Sequence, residues 1–220
     1  MTERTQTSAS AAAPRRRLAA ADRRAAILAD ALEVFAADGF SEASLDDVAA
    51  RGGISKALIY EHFASKRELQ VALLDEHVHE VIERVVRAVS GAPDNESRLR
   101  AGIDAFLAFG EERPAALALL TRNVSDPVVG ATLDRLREEM AATIAAIMAA
   151  DAPPPQEGDI DVELAAALLA HLVVGGVQFM AAWWVADGGS GLTREQVVEA
   201  TMGLYWLGFE RLDRGERWNR

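Results

Sequence analysis

The chain has 220 residues, half of them apolar, with no cysteine and a formal net charge of −11. That length supports a sizeable core in one domain or two small ones, and the lack of cysteine excludes a disulfide framework, a thiolate nucleophile and a cysteine metal site. Residues 1–70 balance ten Lys and Arg against ten Asp and Glu, so the whole net charge lies in residues 71–220, and phosphate is repelled only by the C-terminal part.

The first 21 residues form an arm. Thr2 to Leu18 is polar and Ala/Ser-rich, ends in Arg15-Arg16-Arg17, and is expected to be disordered when free. It is either a basic arm on phosphates or the minor groove, or a solvated tail. It lacks the apolar core of a secretory signal, so cytoplasmic residence is expected. Asp22 to Ala37 reads as a first helix, with Ile27, Leu28, Ala31, Leu32 and Phe35 as its buried stripe and Gly39 as its stop.

Residues 44–68 then read as two short helices joined by a glycine turn, followed by the start of another helix. Ser44 with Asp47, and Ser65 with Glu68, have the spacing of capping boxes. Gly53 falls where two packed helices turn sharply and a positive φ is cheap for glycine alone. Small Ala49 allows the helices to cross closely. This pattern predicts a helix-turn-helix over residues 45–64, with Ser55 to Phe63 as the helix that enters the DNA major groove. When Ile59 and Phe63 face the core, Lys56, Tyr60, Glu61 and His62 face outward.

The stretch from Ile54 to Lys66, preceded by a first helix ending Ala37-Asp38-Gly39-Phe40, resembles the signature of the TetR family of transcriptional regulators. The resemblance spans about residues 22–68. Gly52, Ala57 and Leu58 stand where that family more often has alanine, glycine and threonine. From the resemblance and the outward residues together, Ser44, Ser55, Lys56, Ala57, Leu58, Tyr60, His62 and Lys66 are the candidate DNA contacts. Lys56, Tyr60 and Lys66 are expected on phosphates. Leu58 either packs on a thymine methyl or belongs to the core.

Past residue 68 the periodicity predicts a long fourth helix, Lys66 to Val89, with Leu74, Val78, Val81, Ile82, Val85 and Val89 as its stripe, reaching beyond the DNA-binding part. Further helices are predicted to about Gly110, from Pro114 to about Asn123, from Asp126-Pro127 to about Ala150, from Asp161 to Ala186, and from Arg194 to Leu212. Ala152 to Asp159 reads as a loop. The last two helices are apolar nearly all round, which requires burial on more than one side. With Gly175, Gly176, Gly203 and Gly208 as close-approach points, this fits a homodimer, and the family resemblance implies a four-helix interface from the same two helices.

Enzyme readings find little support. His77 and His79 point to different sides of a helix, so one metal cannot readily take both. Gly188-Gly189-Ser190-Gly191 lacks the preceding strand of a phosphate loop. No metal or cofactor is expected. An effector pocket is the better reading, with Phe106, Phe109, Asn123, His171, Gln178 and Trp183 as candidates. His171 and Gln178 share one face two turns apart and need hydrogen-bond partners, from a ligand or from a second subunit.

The expected architecture is all-α with about nine helices. It comprises a disordered arm (1–21), a helix-turn-helix DNA-binding domain (22–68), and a helical ligand-binding and dimerisation bundle (69–220). The expected function is a ligand-responsive regulator, a repressor that binds a palindromic operator as a homodimer and is released by a small, largely apolar molecule. The alternatives are a DNA-binding factor of the same kind without an inducer, or a helical small-molecule-binding protein.

Overall fold

A computed structural model of the protein describes residues 20–122, 125–150, 161–186 and 191–213. Among these residues the ordered elements are nine α-helices: α1 (Ala20–Glu42), α2 (Leu45–Gly52), α3 (Lys56–Tyr60), α4 (Lys66–Ser90), α5 (Asn95–Glu112), α6 (Pro114–Thr121), α7 (Pro127–Ala150), α8 (Val162–Ala186) and α9 (Arg194–Asp213). The basic arm, Asn123, the Ala152–Asp159 loop and most of the glycine loop at 188–191 lie outside the described residues.

The first helix runs past its expected stop. Gly39 breaks it with φ 87° and ψ 162°, and the chain resumes helical geometry at once. The break turns Phe40 back into the core beside Phe35, with ring centroids 5.7 Å apart. The Phe40 carbonyl, which leaves the regular ladder there, accepts from the buried Gln70 Nε2 at 2.8 Å. A buried backbone acceptor in this position must find a partner, and Gln70 supplies it from α4.

The stripes read from sequence form one continuous core. Ile27, Leu28, Ala31, Leu32 and Phe35 of α1 are buried, as are Leu74, Val78, Val81, Val85 and Val89 of α4, while Ile82 packs at the margin. The first half of α4 packs on α1, and its length carries it against α5, α6 and α7. It therefore belongs to both halves of the molecule. Pro114 opens α6, where its missing N–H costs nothing. Asp126 caps α7, its carboxylate accepting from the N–H groups of Val128 at 2.9 Å and Val129 at 3.1 Å.

Helix α8 is only partly buried within the protomer. It is long and apolar enough to cross a membrane by length and composition, with mean hydropathy 1.9 over an 18-residue window, yet only 33 % of that window is buried. Ala166, Ala170, Val173, Val174, Val177, Ala181 and Trp184 face the protomer core. Leu164, Leu168, Leu172, Phe179 and Trp183 form an outward apolar stripe at spacings of four and seven, and Leu204 of α9 is also exposed, at 76 %. The glycines divide by role. A Cβ on Gly176 would overlap the Tyr205 hydroxyl, which donates to the Leu172 carbonyl at 3.2 Å, so this glycine lets α9 approach α8 within one protomer. Gly175 and Gly203 face open space.

Candidate nucleic-acid interface

The helix-turn-helix is built from its caps inward. Ser44 Oγ accepts from the Asp47 N–H at 3.2 Å, and the Asp47 carboxylate accepts from the Ser44 N–H at 2.9 Å, closing a full capping box. The Ser44 hydroxyl, which also donates to Asp47 Oδ2, and then the Ser44 N–H hold the Asp47 carboxyl below its ordinary pKa. Gly53 ends α2 in the left-handed region at φ 59°, its N–H returning to the Ala49 and Ala50 carbonyls. Ser55 then caps α3 through the Leu58 N–H at 3.2 Å. At Ser65 the box is modified. Its hydroxyl caps the Glu68 N–H at 3.1 Å, but Glu68 reaches one residue further back, to the Ala64 N–H at 2.7 Å.

Helix α3 is shorter than expected. Regular helix ends at Tyr60, and the N–H groups of His62 and Phe63 both donate to the Ile59 carbonyl, at 3.0 and 2.9 Å, tightening the chain into a turn. Ile59 and Phe63 are buried and anchor this unit, with the Arg24 guanidinium 4.8 Å above the Phe63 ring centroid. Ser55, Lys56, Ala57 and Tyr60 are exposed on the other side, with Tyr60 51 % accessible. Leu58, His62 and Ser44 are half-buried. Leu58 thus stands between the two roles open to it, neither fully in the core nor free of it.

The two lysines are already engaged. Lys56 Nζ donates to Asp46 Oδ2 of α2 at 2.8 Å, and this carboxylate raises the ammonium's pKa. Lys66 Nζ donates to the Ser41 carbonyl at 3.0 Å and helps hold the end of α1 against the start of α4. Asp46 and Ser41 are therefore parts of this surface that sequence reasoning passed over. Asp46 looks, in sequence, like one of two interchangeable acids in a first helical turn, and only the fold shows which caps and which pairs.

A second set of contacts, also missed, ties this unit to the rest. Arg67 donates to Asp126 Oδ2 through Nη2 at 2.8 Å and Nε at 3.3 Å, and this pairing pushes the Asp126 carboxyl down to about 2. The Ser41 and Ser125 hydroxyls are 2.7 Å apart. The first turn of α4, the end of α1 and the start of α7 thus meet around one open cleft of about 560 Å³, lined also by Phe40, Ser65, Lys66 and Gln70. The partners lie 59 and 84 positions apart, and no local spacing signals such a pair.

The expected effector residues that are described divide between core and surface. Phe106 and Phe109 are buried on α5, with the Arg84 guanidinium 5.6 Å from the Phe109 ring centroid. Trp183 is on the outward face of α8, and Gln178 is half-buried. His171 is exposed, its ring nitrogens at 2.7 Å from the Ala167 carbonyl and 3.1 Å from Glu138 Oε2. Those two acceptors raise its pKa, the carbonyl more than the carboxylate. Its period along α8 places it beside Leu168 and Leu172 at the edge of the apolar stripe. His77 and His79, by contrast, part to buried and exposed sides of α4. The His77 Nδ1 is buried without a hydrogen-bond partner, and burial lowers its pKa.

A capped helix-turn-helix on one end of an α-helical bundle, with an exposed polar second helix, defines a DNA-binding regulator. Residues 27–73 match the family described as bacterial regulatory proteins of the tetR family, and residues 95–208 match the tetracyclin repressor-like C-terminal domain. The chain belongs to the TetR family of transcriptional regulators, which are not enzymes. It is 30 % identical over 198 residues to the HTH-type transcriptional activator FasR of Mycolicibacterium smegmatis, covering 89 % of this chain and 87 % of that one. It is 31 % identical over 192 residues to the HTH-type transcriptional regulator EthR of the same species, covering 84 % and 85 %. Among solved structures, a TetR-like regulator from Rhodococcus sp. RHA1 shares the fold, with a TM-score of 0.72 at 24 % identity over 88 % of this chain and 99 % of that one.

Proposed function

We propose that the protein acts in the cytoplasm as a homodimer that binds a two-fold operator and changes its affinity when a small, largely apolar effector binds the C-terminal half. The observation that carries this reading is the unpartnered apolar stripe of α8 and α9. An apolar patch of that continuity on a soluble chain marks an interface. Pairing it with its own copy is isologous, which places two α3 helices on one duplex with two-fold symmetry. His171 and Glu138 then lie at the rim of that interface, and Trp183 within it.

The DNA side consists of Ser44, Ser55, Lys56, Ala57, Leu58, Tyr60, His62 and Lys66, with Tyr60 and Lys66 on phosphates. The effector side lies among α4 to α8, walled by Phe106 and Phe109. Coupling runs through α4 and the Arg67–Asp126 pair, because together they join the start of α7 to the DNA-reading unit. An effector alters operator affinity only by binding one arrangement of the two α3 helices better than another. A dimer of this kind represses when its operator overlaps the promoter and activates when it sits beside it, so operator position sets the sign of control.

The test is a mobility shift with the DNA upstream of the protein's own gene, at fixed salt, before and after adding an organic extract of the protein purified from its host. The expected result is a sharp dimer complex whose affinity the extract changes about 5- to 150-fold. Binding that the extract leaves unchanged would remove the effector from the account.

A further inference from the structure

The helix-turn-helix carries an acid where an acid is costly. Asp46 is in the first turn of α2, its side chain 70 % exposed, and it meets the first residue of α3. Any duplex lying against the start of α3 brings phosphates towards this carboxylate. The helix does not need it for capping, since Asp47 closes the box with Ser44. The bond Asp46 makes is to Lys56 Nζ, across the turn, at 2.8 Å.

We propose that Asp46 is a positioning residue for DNA recognition: it holds the Lys56 ammonium off the phosphate backbone and presents it to a base edge in the major groove. This inference rests on α3 being the recognition helix, whose N-terminal residues meet base edges. An untethered lysine on a flexible four-carbon stem is drawn to the nearest phosphate, where it raises affinity for every sequence alike. Lys56 has three donors, of which Asp46 takes one. The other two suit the paired acceptors O6 and N7 of guanine. While Asp46 holds it, Lys56 contacts no phosphate and so displaces no counterion from non-specific DNA. Asp46 thereby trades general affinity for discrimination.

The experiment uses the full chain and two duplexes of equal length: one enriched by the wild type from a random library, the other of random sequence. Affinities are measured over a salt series for wild type, Asp46→Asn, Asp46→Glu and Lys56→Gln, with melting curves to establish folding. In Asp46→Asn, binding to the random duplex tightens and its salt slope steepens by about 0.9, the value of one phosphate contact. The preference for the selected duplex falls about fivefold or more, the worth of a lost base contact. Asp46→Glu, which keeps the carboxylate, restores both. Lys56→Gln lowers the preference but leaves the random-duplex slope unchanged.

Equal tightening on both duplexes by Asp46→Asn would reduce Asp46 to simple repulsion and overturn the proposal. So would a random-duplex slope flattened by about 0.9 in Lys56→Gln, which would make Lys56 a phosphate contact. Should Asp46→Asn not fold, Asp46→Ala takes its place in the same comparison, with the same two outcomes. Failure of the wild type to enrich any sequence would instead overturn the recognition-helix assignment itself.

Discussion

Phe179 offers a direct test of the proposed pairing of two subunits. Its side chain is 81 % exposed on the outward stripe of α8, so truncating it leaves the protomer core intact. A phenylalanine offers roughly 200 Å² for burial, and covering four-fifths of it at about 25 cal/mol per Å² contributes about 4 kcal/mol. Phe179→Ala removes the greater part of this, about 3 kcal/mol. An isologous interface contains the residue twice, so the dimer loses about 6 kcal/mol when both rings are fully covered. Tenfold in affinity corresponds to about 1.4 kcal/mol, giving a dissociation constant raised about 10⁴-fold, or about 10²-fold for half-covered rings. Sedimentation across a concentration series measures this, and operator binding should fall in parallel because a monomer holds one half-site. A Phe179→Ala protein with the dissociation constant of the wild type would refute the reasoning and move the interface off the α8 stripe.

Other perturbations separate the remaining contributions. Gly53→Ala should cost about 1–2 kcal/mol, because an alanine at φ 59° is strained even though nothing lies within 4 Å of its Cβ; Gly53→Asn should cost less, and equal melting temperatures for wild type and alanine variant would contradict this. Arg67→Ala should leave operator affinity near wild type but reduce its response to the host extract, and a full response would exclude the α4–α7 tie from coupling. Because Asp126 titrates near pH 2, that tie should be insensitive to pH between 5 and 8. His77, faced by Glu76 and Glu80 of α4 and by Arg113, has a pKa lowered by burial. The unfolded chain binds a proton that the native one refuses, so the contribution is complete above about pH 6.5 and is lost as pH falls below it. His77→Leu should flatten that acid limb of the melting temperature, and an unchanged slope would show that other groups cause it.

How much of this was legible in sequence depended on distance along the chain. The caps at Ser44, Ser55 and Ser65, the turn at Gly53 and the stripes of α1 and α4 are local signals set by helical period, and they appear where expected. Apolar spacing continues to Phe63 and so predicts a longer α3 than the backbone forms, since the chain tightens after Tyr60. Gly39 is a break that the chain passes through, resuming helical geometry at Phe40. His171, a polar residue in an apolar helix, needs partners that period does not name, and within the protomer they are the Ala167 carbonyl and Glu138 on a neighbouring helix. Val177, which the same periodicity could place at a subunit crossing, is buried within the protomer, whereas Gly203 is open. Period shows that a helix has two apolar sides but not which side meets its own chain. The pairs Lys56–Asp46 and Arg67–Asp126 are tertiary, and charge patterns alone do not single them out.

The central claim is that two copies of this chain, joined through α8 and α9, place two recognition helices on one duplex. Selection of the full-length protein on a random duplex library, followed by footprinting of the enriched sequence, tests it most directly. The account predicts an inverted repeat whose half-sites are about one helical turn apart, roughly 34 Å centre to centre or a multiple of it, protected by a dimer with each half contacted by one α3. Enrichment of a single unrepeated half-site protected by a monomer, or no enrichment at all, would contradict it.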